Sequence, residues 1–337
     1  MIEDQRPGTV YWIDHYVVGS HDLDRWADFQ TKVVGARPQP AIPGQGRFIV
    51  FQDITDCCHH GAMFSSEPLA DTGGLGKGLP RHGLFIRQED IDEHLRRLDK
   101  YDVPHLDPIR TSAEGDDGIS IAWEDIDGNQ MEFWAPDRMP EGAMAGAGPL
   151  KIGRISHGVY QSRDLQRTAD FFDRYCALSP LKSADIPDDT LVLPTVCGAR
   201  IVYKKSETIG RRTGGWGKLS ACHAALLVRD EDFFPNYERM WTEIPDWDWD
   251  RETGRFIGGS ADLPARTSRH GSPAGRVWYE IRGKGDDWYD WDTNSFHFMS
   301  GSPKDPAFAE YEEHLMDWHL PRYMEERGLP VPTAPAR

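Results

Sequence analysis

The sequence has few cysteines, a deficit of basic residues and no long hydrophobic run, and each shortage excludes a class of protein. The 337 residues contain five cysteines, an odd number with irregular spacing, which is not typical of a disulfide-stapled secreted domain. A net charge of -17 argues against nucleic acid or an anionic membrane surface as the partner. No apolar run approaches the roughly 18 residues of a transmembrane helix, and the acidic start MIEDQRPG lacks the features of a signal peptide. We therefore expect a cytoplasmic protein with reduced cysteines that acts on a small molecule.

The composition is that of a folded chain. Hydrophobic residues make up 39% of the sequence and 12 residues are tryptophan, which excludes extensive disorder. The length is sufficient for two domains, each with its own core.

Three segments of the first half recur in the same order in the second half. IDHYVVGSHDLDRWADF (13–29) and ISHGVYQSRDLQRTADF (155–171) share the pattern I-x-H-x-V-x-x-S-x-D-L-x-R-x-A-D-F at a separation of 142 residues. Two further matches, 73–90 with 214–232 and 124–134 with 289–299, align His82 with His223 and Glu132 with His297. Ordered matches of this kind indicate a duplicated domain.

The repeat predicts the domain organisation. An N-terminal domain spans 1–140, a Gly/Ala-rich linker follows at 141–150, and a C-terminal domain spans 151–303. The third match has a larger separation than the first two, so we expect an insertion in the second domain, near 241–276. Residues 304–337 are predicted to form a helix and a proline-rich tail.

Each half contains a finer pattern. A strand that carries a histidine precedes an amphipathic helix, and short β-rich segments follow. The pattern predicts an α+β protein made of four βαβββ modules, two in each domain.

The segment CCHH (Cys57–His60) places four side chains of metal-binding types in a row. Adjacent residues in a strand point to opposite faces and cannot converge on one metal, so the spacing does not favour a zinc cluster. The segment is therefore either a packed strand or a contributor to a metal held elsewhere.

The strand-borne histidines predict a metal site. His15 and His82 start equivalent strands of two modules, and Glu132 lies on the last strand of the second module. Two imidazoles and one carboxylate form the facial triad suited to non-haem Fe(II). The second copy offers a possible second site of three histidines that suits iron, zinc or copper, namely His157, His223 and His297.

Crosswise pairing of modules would regroup these ligands. One site would then contain His15, His223 and His297, and the other would contain His82, His157 and Glu132. The sequence leaves both pairings open.

The repeats, the strand-borne histidines and the ending DIDGNQMEFW resemble the vicinal oxygen chelate superfamily, and within it the two-domain type I extradiol ring-cleaving dioxygenases. The resemblance implies two tandem glyoxalase/dioxygenase-like domains, an Fe²⁺ cofactor held by His15, His82 and Glu132, and cleavage of a catechol-type ring with O2. It also implies a homo-oligomer.

The resemblance assigns further roles to single residues. His60 falls on the family's acid/base histidine, and His105 on a histidine that contacts the substrate oxygen. The family's tyrosine, about ten residues before the Glu ligand, is missing here, where Ala122 and Trp123 stand. We expect Trp123 and His59 to contact the substrate.

Two other functions remain open. The missing tyrosine leaves room for a lyase, isomerase or hydrolase of the same superfamily that uses a divalent metal as a Lewis acid. An aromatic cavity that only binds a small molecule, without catalysis, is the other alternative.

Overall fold

The structure is a computed structural model. It describes residues 6–35, 37–38, 49–55, 58–64, 73–112, 115–144, 147–207 and 223–229, four single positions between 232 and 243, and six short strands between 249 and 300. The predicted C-terminal helix and tail (304–337) lie outside the described residues, as does most of the predicted insertion.

The modules follow one another along the chain as predicted, and the α+β class is confirmed. The first contains β1 (Trp12–Ser20), α1 (Leu23–Val33), β2 (Arg37–Pro38), β3 (Ile49–Thr55) and β4 (Cys58–Phe64). The second contains β5 (Arg81–Phe85), α2 (Ile91–Lys100), β6 (Ile109–Thr111), β7 (Gly118–Glu124) and β8 (Gln130–Pro136). The third contains β9 (Ile155–Ser162), α3 (Leu165–Cys176), β10 (Thr190–Pro194) and β11 (Arg200–Lys205).

The strands described in the fourth module begin with β12 (His223–Val228) and end with β18 (Ser295–Ser300). Between them lie β13 (Trp249–Asp250), β14 (Arg255–Phe256), β15 (Arg266–Gly271), β16 (Val277–Arg282) and β17 (Trp288–Tyr289).

The repeat is visible in the way the helices begin. The Asp22 side chain accepts a hydrogen bond from Arg25 N at 3.0 Å and caps α1. At the equivalent place the Asp164 side chain accepts from Arg167 N at 3.0 Å and caps α3. An N-cap carboxylate satisfies backbone donors that the helix leaves unpaired, so the S-x-D-L motif starts a helix in both halves.

The described strands form two large sheets and a short ribbon, and each large sheet combines modules from both halves of the chain. A nine-stranded sheet has the order β15-β16-β18-β12-β1-β4-β3-β2, with β17 paired to β18. A seven-stranded sheet has the order β10-β11-β9-β5-β8-β7-β6. The first module therefore pairs with the fourth, and the second with the third. The crosswise arrangement is the one found, and the linker joins β8 to β9 within the seven-stranded sheet.

The two large sheets pack against each other through aromatic side chains. The ring of Tyr16 on β1 stacks on that of His82 on β5, with centroids 4.2 Å apart and planes 3° from parallel. Tyr160 on β9 meets Phe296 on β18 edge to face at 5.2 Å. All four residues are buried, so this face of each sheet belongs to the core.

The turn between β7 and β8 joins the second module to the first. The Asp125 carboxylate accepts a hydrogen bond from Trp26 Nε1 at 2.9 Å, and Asn129 Nδ2 donates to Gly19 O at 3.0 Å. Burial raises the pKa of Asp125 to about 6, although hydrogen bonds from Asn129 and Trp26 oppose the rise. No helix that the structure describes has the length and hydrophobicity needed to cross a membrane.

Candidate metal centre

One face of the nine-stranded sheet brings together histidine positions from the first and fourth modules. Strand register places His15 of β1 across from Ala225 of β12, and Ala225 beside His297 of β18. On the other side of β1, His15 is across from His59 of β4. His223 is across from Val17, two residues along β1 from His15. Directly opposed positions and positions two apart share one face of a sheet, so four histidine positions lie on the His15 face.

The side chain of His15 is held by its neighbour in the sequence. His15 Nδ1 lies 2.9 Å from Asp14 Oδ2, and both side chains are buried. A carboxylate at Nδ1 favours the tautomer with the proton on Nδ1 and the lone pair on Nε2. This is the arrangement that metal-ligating histidines commonly have.

The equivalent face of the seven-stranded sheet contains different chemistry. His157 of β9 is across from Gly83 of β5, and Gly83 is beside Glu132 of β8. Glu132 Oε2 lies 2.7 Å from Arg81 Nε and 3.2 Å from His157 Nε2. The Arg81 guanidinium also donates from Nη1 to Gly76 O at 3.2 Å. The carboxylate is therefore compensated by a permanent cation of the chain itself.

Burial and charge act in opposite directions on Glu132. Burial alone raises the pKa of this carboxyl, but the Arg81 guanidinium and His157 more than offset the effect and hold its pKa below the usual range. Gly83 makes the close packing possible, because a Cβ at this position would overlap the His157 ring. Glu132 is thus an ionised carboxylate on a dry sheet face.

The structure does not assemble His15, His82 and Glu132 into one site. His15 lies in the nine-stranded sheet, whereas His82 and Glu132 lie in the seven-stranded sheet. His82 is across from Gly158 and Met131. It lies one residue before Gly83, the position across from Glu132, so its side chain points to the opposite face of the sheet, which is the core face. Its ring stacks on Tyr16, and its Nε2 lies 3.4 Å from Tyr160 Oη. Crosswise pairing brings His157 to Glu132, but it does not bring His82 there.

A one-residue offset explains the position of His82. The sequence match aligned His82 with His223, whereas the sheets align Gly158 with Tyr16 and therefore His82 with Ala224. The equivalent of His223 is then Arg81. Side chains alternate in a strand, so a slip of one residue moves a side chain to the other face.

The register places the two adjacent histidines of CCHH on opposite faces of β4. His60, predicted as the acid/base, is across from Tyr16 in the register, whereas His59 is across from His15. The structure describes β4 through its backbone, and at both positions the side chain lies outside the description. Position 59, and not position 60, therefore lies on the same sheet face as His15.

Two further predicted site residues lie in the seven-stranded sheet, away from Glu132. Trp123 is fully buried in the core, where its ring contacts those of Phe29 and Phe133. It is across from Met131, so it occupies the face opposite to Glu132. His105 forms a bridge with Trp123, and its Nδ1 lies 2.9 Å from Val103 O. The structure thus gives Trp123 a packing role and places His105 at the edge of the sheet.

Asp14 and Arg81 were missed by sequence reasoning. The signal for Asp14 was its position next to a strand histidine. The signal for Arg81 was the uniform separation of 142 residues, which aligns it with His223. Among the side chains that the structure describes, no three of His, Cys, Asp or Glu converge as a metal site. The side chains of His223 and His297 are not among those described.

Comparison with known proteins agrees with the fold. Residues 12–133 match the Glyoxalase/Bleomycin resistance protein/Dioxygenase superfamily. This segment therefore matches a domain of the superfamily, which is also called the vicinal oxygen chelate superfamily, and the resemblance seen in the sequence is confirmed there. The matched segment covers the first two modules, which the structure divides between the two sheets.

Solved structures show the same fold over nearly the whole chain. A protein from Bacillus subtilis subsp. subtilis str. 168, assigned only provisionally as a dioxygenase, is 16% identical with a TM-score of 0.60. The alignment covers 96% of this chain and 97% of that one. Glyoxalase I from Zea mays is 13% identical with a TM-score of 0.53 and covers 90% of this chain and 97% of its own. Among curated proteins, no sequence matches.

Proposed function

We propose that the protein is a metal-dependent enzyme of the vicinal oxygen chelate superfamily, with its metal on the His15 face of the nine-stranded sheet. The ligands would be His15, His223 and His297. The observation that carries the proposal is the strand register, which brings the three positions from opposite ends of the chain to one sheet face. The donor set fits a transition metal, because neutral imidazoles suit iron, zinc, copper and nickel.

The charge of this centre indicates the substrate class. Three neutral imidazoles leave the two positive charges of a divalent metal uncompensated, whereas a Glu ligand would cancel one of them. A bound metal would supply Lewis-acid binding of vicinal substrate oxygens and, as Fe²⁺, a place for O2. We propose a catechol-type aromatic as the substrate and extradiol ring cleavage with O2 as the reaction.

Residues of the chain would prepare this centre for the reaction. Asp14 fixes the orientation of the His15 imidazole through Nδ1. His59, across from His15 in the register, is our candidate for the group that moves a proton to or from the substrate oxygen. His60 remains the alternative that the family pattern suggests.

A second candidate reaction is a Lewis-acid isomerisation of the glyoxalase I kind. The same uncompensated charge suits an enediolate, which also presents two vicinal oxygens, and the family tyrosine of the dioxygenases is missing. The two reactions differ in their need for O2.

The experiment that tests the proposal combines metal analysis with oxygen uptake. Protein purified with and without air is assayed for iron, zinc, copper and nickel, and for O2 consumption with a panel of catechols. We expect about one metal per chain, with iron supporting O2 uptake that matches the loss of catechol. A bound metal without O2 uptake would favour the isomerase, lyase or hydrolase. Tight binding of an aromatic ligand after complete metal removal would favour a binding protein.

A further inference from the structure

The face of the seven-stranded sheet that corresponds to the proposed metal centre contains an arginine in a ligand position. In the nine-stranded sheet His15 and His297 lie on either side of Ala225, and in the seven-stranded sheet His157 and Glu132 lie on either side of Gly83. Ala225 and Gly83 are equivalent positions, so His157 corresponds to His15 and Glu132 corresponds to His297. The remaining ligand position, that of His223, is taken by Arg81. An arginine is permanently charged and has no lone pair to donate to a metal.

The guanidinium of Arg81 lies against the other two members of this group. Its Nε is 2.7 Å from Glu132 Oε2, and the same oxygen is 3.2 Å from His157 Nε2. Two donors bound to one metal at about 2.0–2.2 Å are themselves roughly 3 Å apart, which is the spacing of the Glu132 and His157 atoms. The imidazole and the carboxylate are thus spaced as metal ligands, with a guanidinium as their cation.

We propose that Arg81 replaces a metal ion in the seven-stranded sheet, and that substitution of Arg81 by a ligand opens a second, latent metal site made of position 81, Glu132 and His157. The wild-type protein then holds its metal only on the nine-stranded sheet. Arg81 excludes a divalent cation in two ways, since its charge repels the cation and its side chain already neutralises the carboxylate.

The test measures metal stoichiometry, with Co²⁺ as the probe. Cobalt content after dialysis and the visible absorption of bound Co²⁺ are recorded for the wild type, Arg81→His and Arg81→Met. We expect about one Co²⁺ more per chain in Arg81→His than in the wild type, and no gain in Arg81→Met, which also removes the guanidinium but supplies no imidazole. The added cobalt must disappear in Arg81→His/Glu132→Gln.

A His15→Ala background separates this inference, which partly rests on the proposed function, from that function itself. If both hold, His15→Ala binds no cobalt, and His15→Ala/Arg81→His binds about one. Cobalt retained by His15→Ala but lost in Glu132→Gln would overturn the inference, because the wild-type site would then include Glu132. A folded Arg81→His protein with no added cobalt would overturn it as well. If Arg81→His does not fold, a fall in the cobalt content of otherwise wild-type protein on Glu132→Gln or His157→Ala remains a decisive contrary result.

Discussion

The two large sheets share one architecture but differ in the charge of four equivalent positions. In the nine-stranded sheet all four positions are histidine, whereas in the seven-stranded sheet one is histidine, one is glutamate and two are arginine. The pairs are His15 and His157, His223 and Arg81, His297 and Glu132, and His59 and Arg200. The four positions of the nine-stranded face offer imidazole donors, which would use an added cation in the proposed centre. The seven-stranded face supplies its own cations, and Arg200 Nη2 lies 3.3 Å from Asp116 Oδ2.

If the proposed centre is correct, the difference teaches that one scaffold supports two uses of the same positions. Neutral donors do not neutralise one another, so a bound metal would supply the favourable free energy of the proposed centre. A buried ion pair contributes little net stability, yet it strongly penalises the loss of one partner. The two faces therefore respond differently to matched substitutions.

The largest expected effect is loss of the metal. His15→Ala and His297→Ala should each abolish bound metal and essentially all turnover, because each removes one of three proposed ligands. Glu132→Gln, the matched change on the other sheet, should keep metal content. Metal analysis and a turnover assay on the same preparations measure both. Metal loss in Glu132→Gln alone would move the centre to the seven-stranded sheet.

The next effect concerns the two adjacent histidines of β4. His59→Phe should keep its metal but turn over about 10²–10⁴-fold more slowly, the usual contribution of an acid/base group. His60→Phe serves as the control and should lose only stability, by roughly 0.5–3 kcal/mol. Steady-state kinetics with metal quantification distinguish the two. A slow His60→Phe beside a normal His59→Phe would restore the family assignment.

Breaking the ion pair of the seven-stranded sheet should destabilise the fold. Arg81→Ala leaves Glu132 charged, buried and without its guanidinium, and we expect a loss of about 3–5 kcal/mol. Removing both charges in Arg81→Met/Glu132→Met should cost less than Arg81→Ala. Urea denaturation followed by fluorescence measures the free energy of unfolding. Equal losses in the two variants would mean that packing, and not charge, is responsible.

The same pair predicts that the free energy of unfolding falls at acid pH. The pKa of Glu132 is lower in the folded protein than its ordinary value of 4.5, so its contribution is present above about that pH. The contribution is lost as the pH falls below this value toward the lower pKa of the folded protein, because the carboxyl is protonated at a higher pH in the unfolded state than in the folded state. In Arg81→Ala the free energy of unfolding, measured by urea denaturation between pH 3 and pH 6, should depend less on pH.

The smallest effect sharpens the difference between the histidines of β1 and β9. Asp14 orients His15, whereas Ser156 Oγ lies 3.1 Å from Nδ1 of His157. Asp14→Asn should weaken metal binding about 10–100-fold, as is usual for the partner of a ligating histidine. Ser156→Ala should leave metal affinity unchanged. Competition with a chelator measures both, and an unchanged affinity in Asp14→Asn would remove Asp14 from the centre.

The sequence predicted the α+β class and the repeated modules, because these depend on local pattern. S-x-D-L starts a helix at 20–23 and at 162–165, the two places where the structure describes it, and a histidine inside an apolar strand is visible without a structure. The partner of each module was not predictable. The repeat leaves direct and crosswise pairing of the modules equally open.

The position of His82 in the sheet differs from the sequence alignment by a single residue. Alignment by identity matches His82 with His223, but side-chain direction depends on register, and backbone hydrogen bonding fixes register. Arg81, next to His82, then occupies the position equivalent to that of His223. An arginine does not bind metals, so its residue type gave no signal, and only the separation of 142 residues marked its position.

The crosswise pairing also sets the order in which the chain can fold. The seven-stranded sheet is built from one continuous stretch, β5 to β11 (81–205), whereas the nine-stranded sheet needs both ends of the described chain. On a ribosome the first module emerges early, but its partner strand β12 is made more than half a chain later. Contacts this distant in sequence form slowly, because a long loop must close first. The edge of β1 should therefore stay open until late in synthesis, and this edge is where we expect misfolding and aggregation to start.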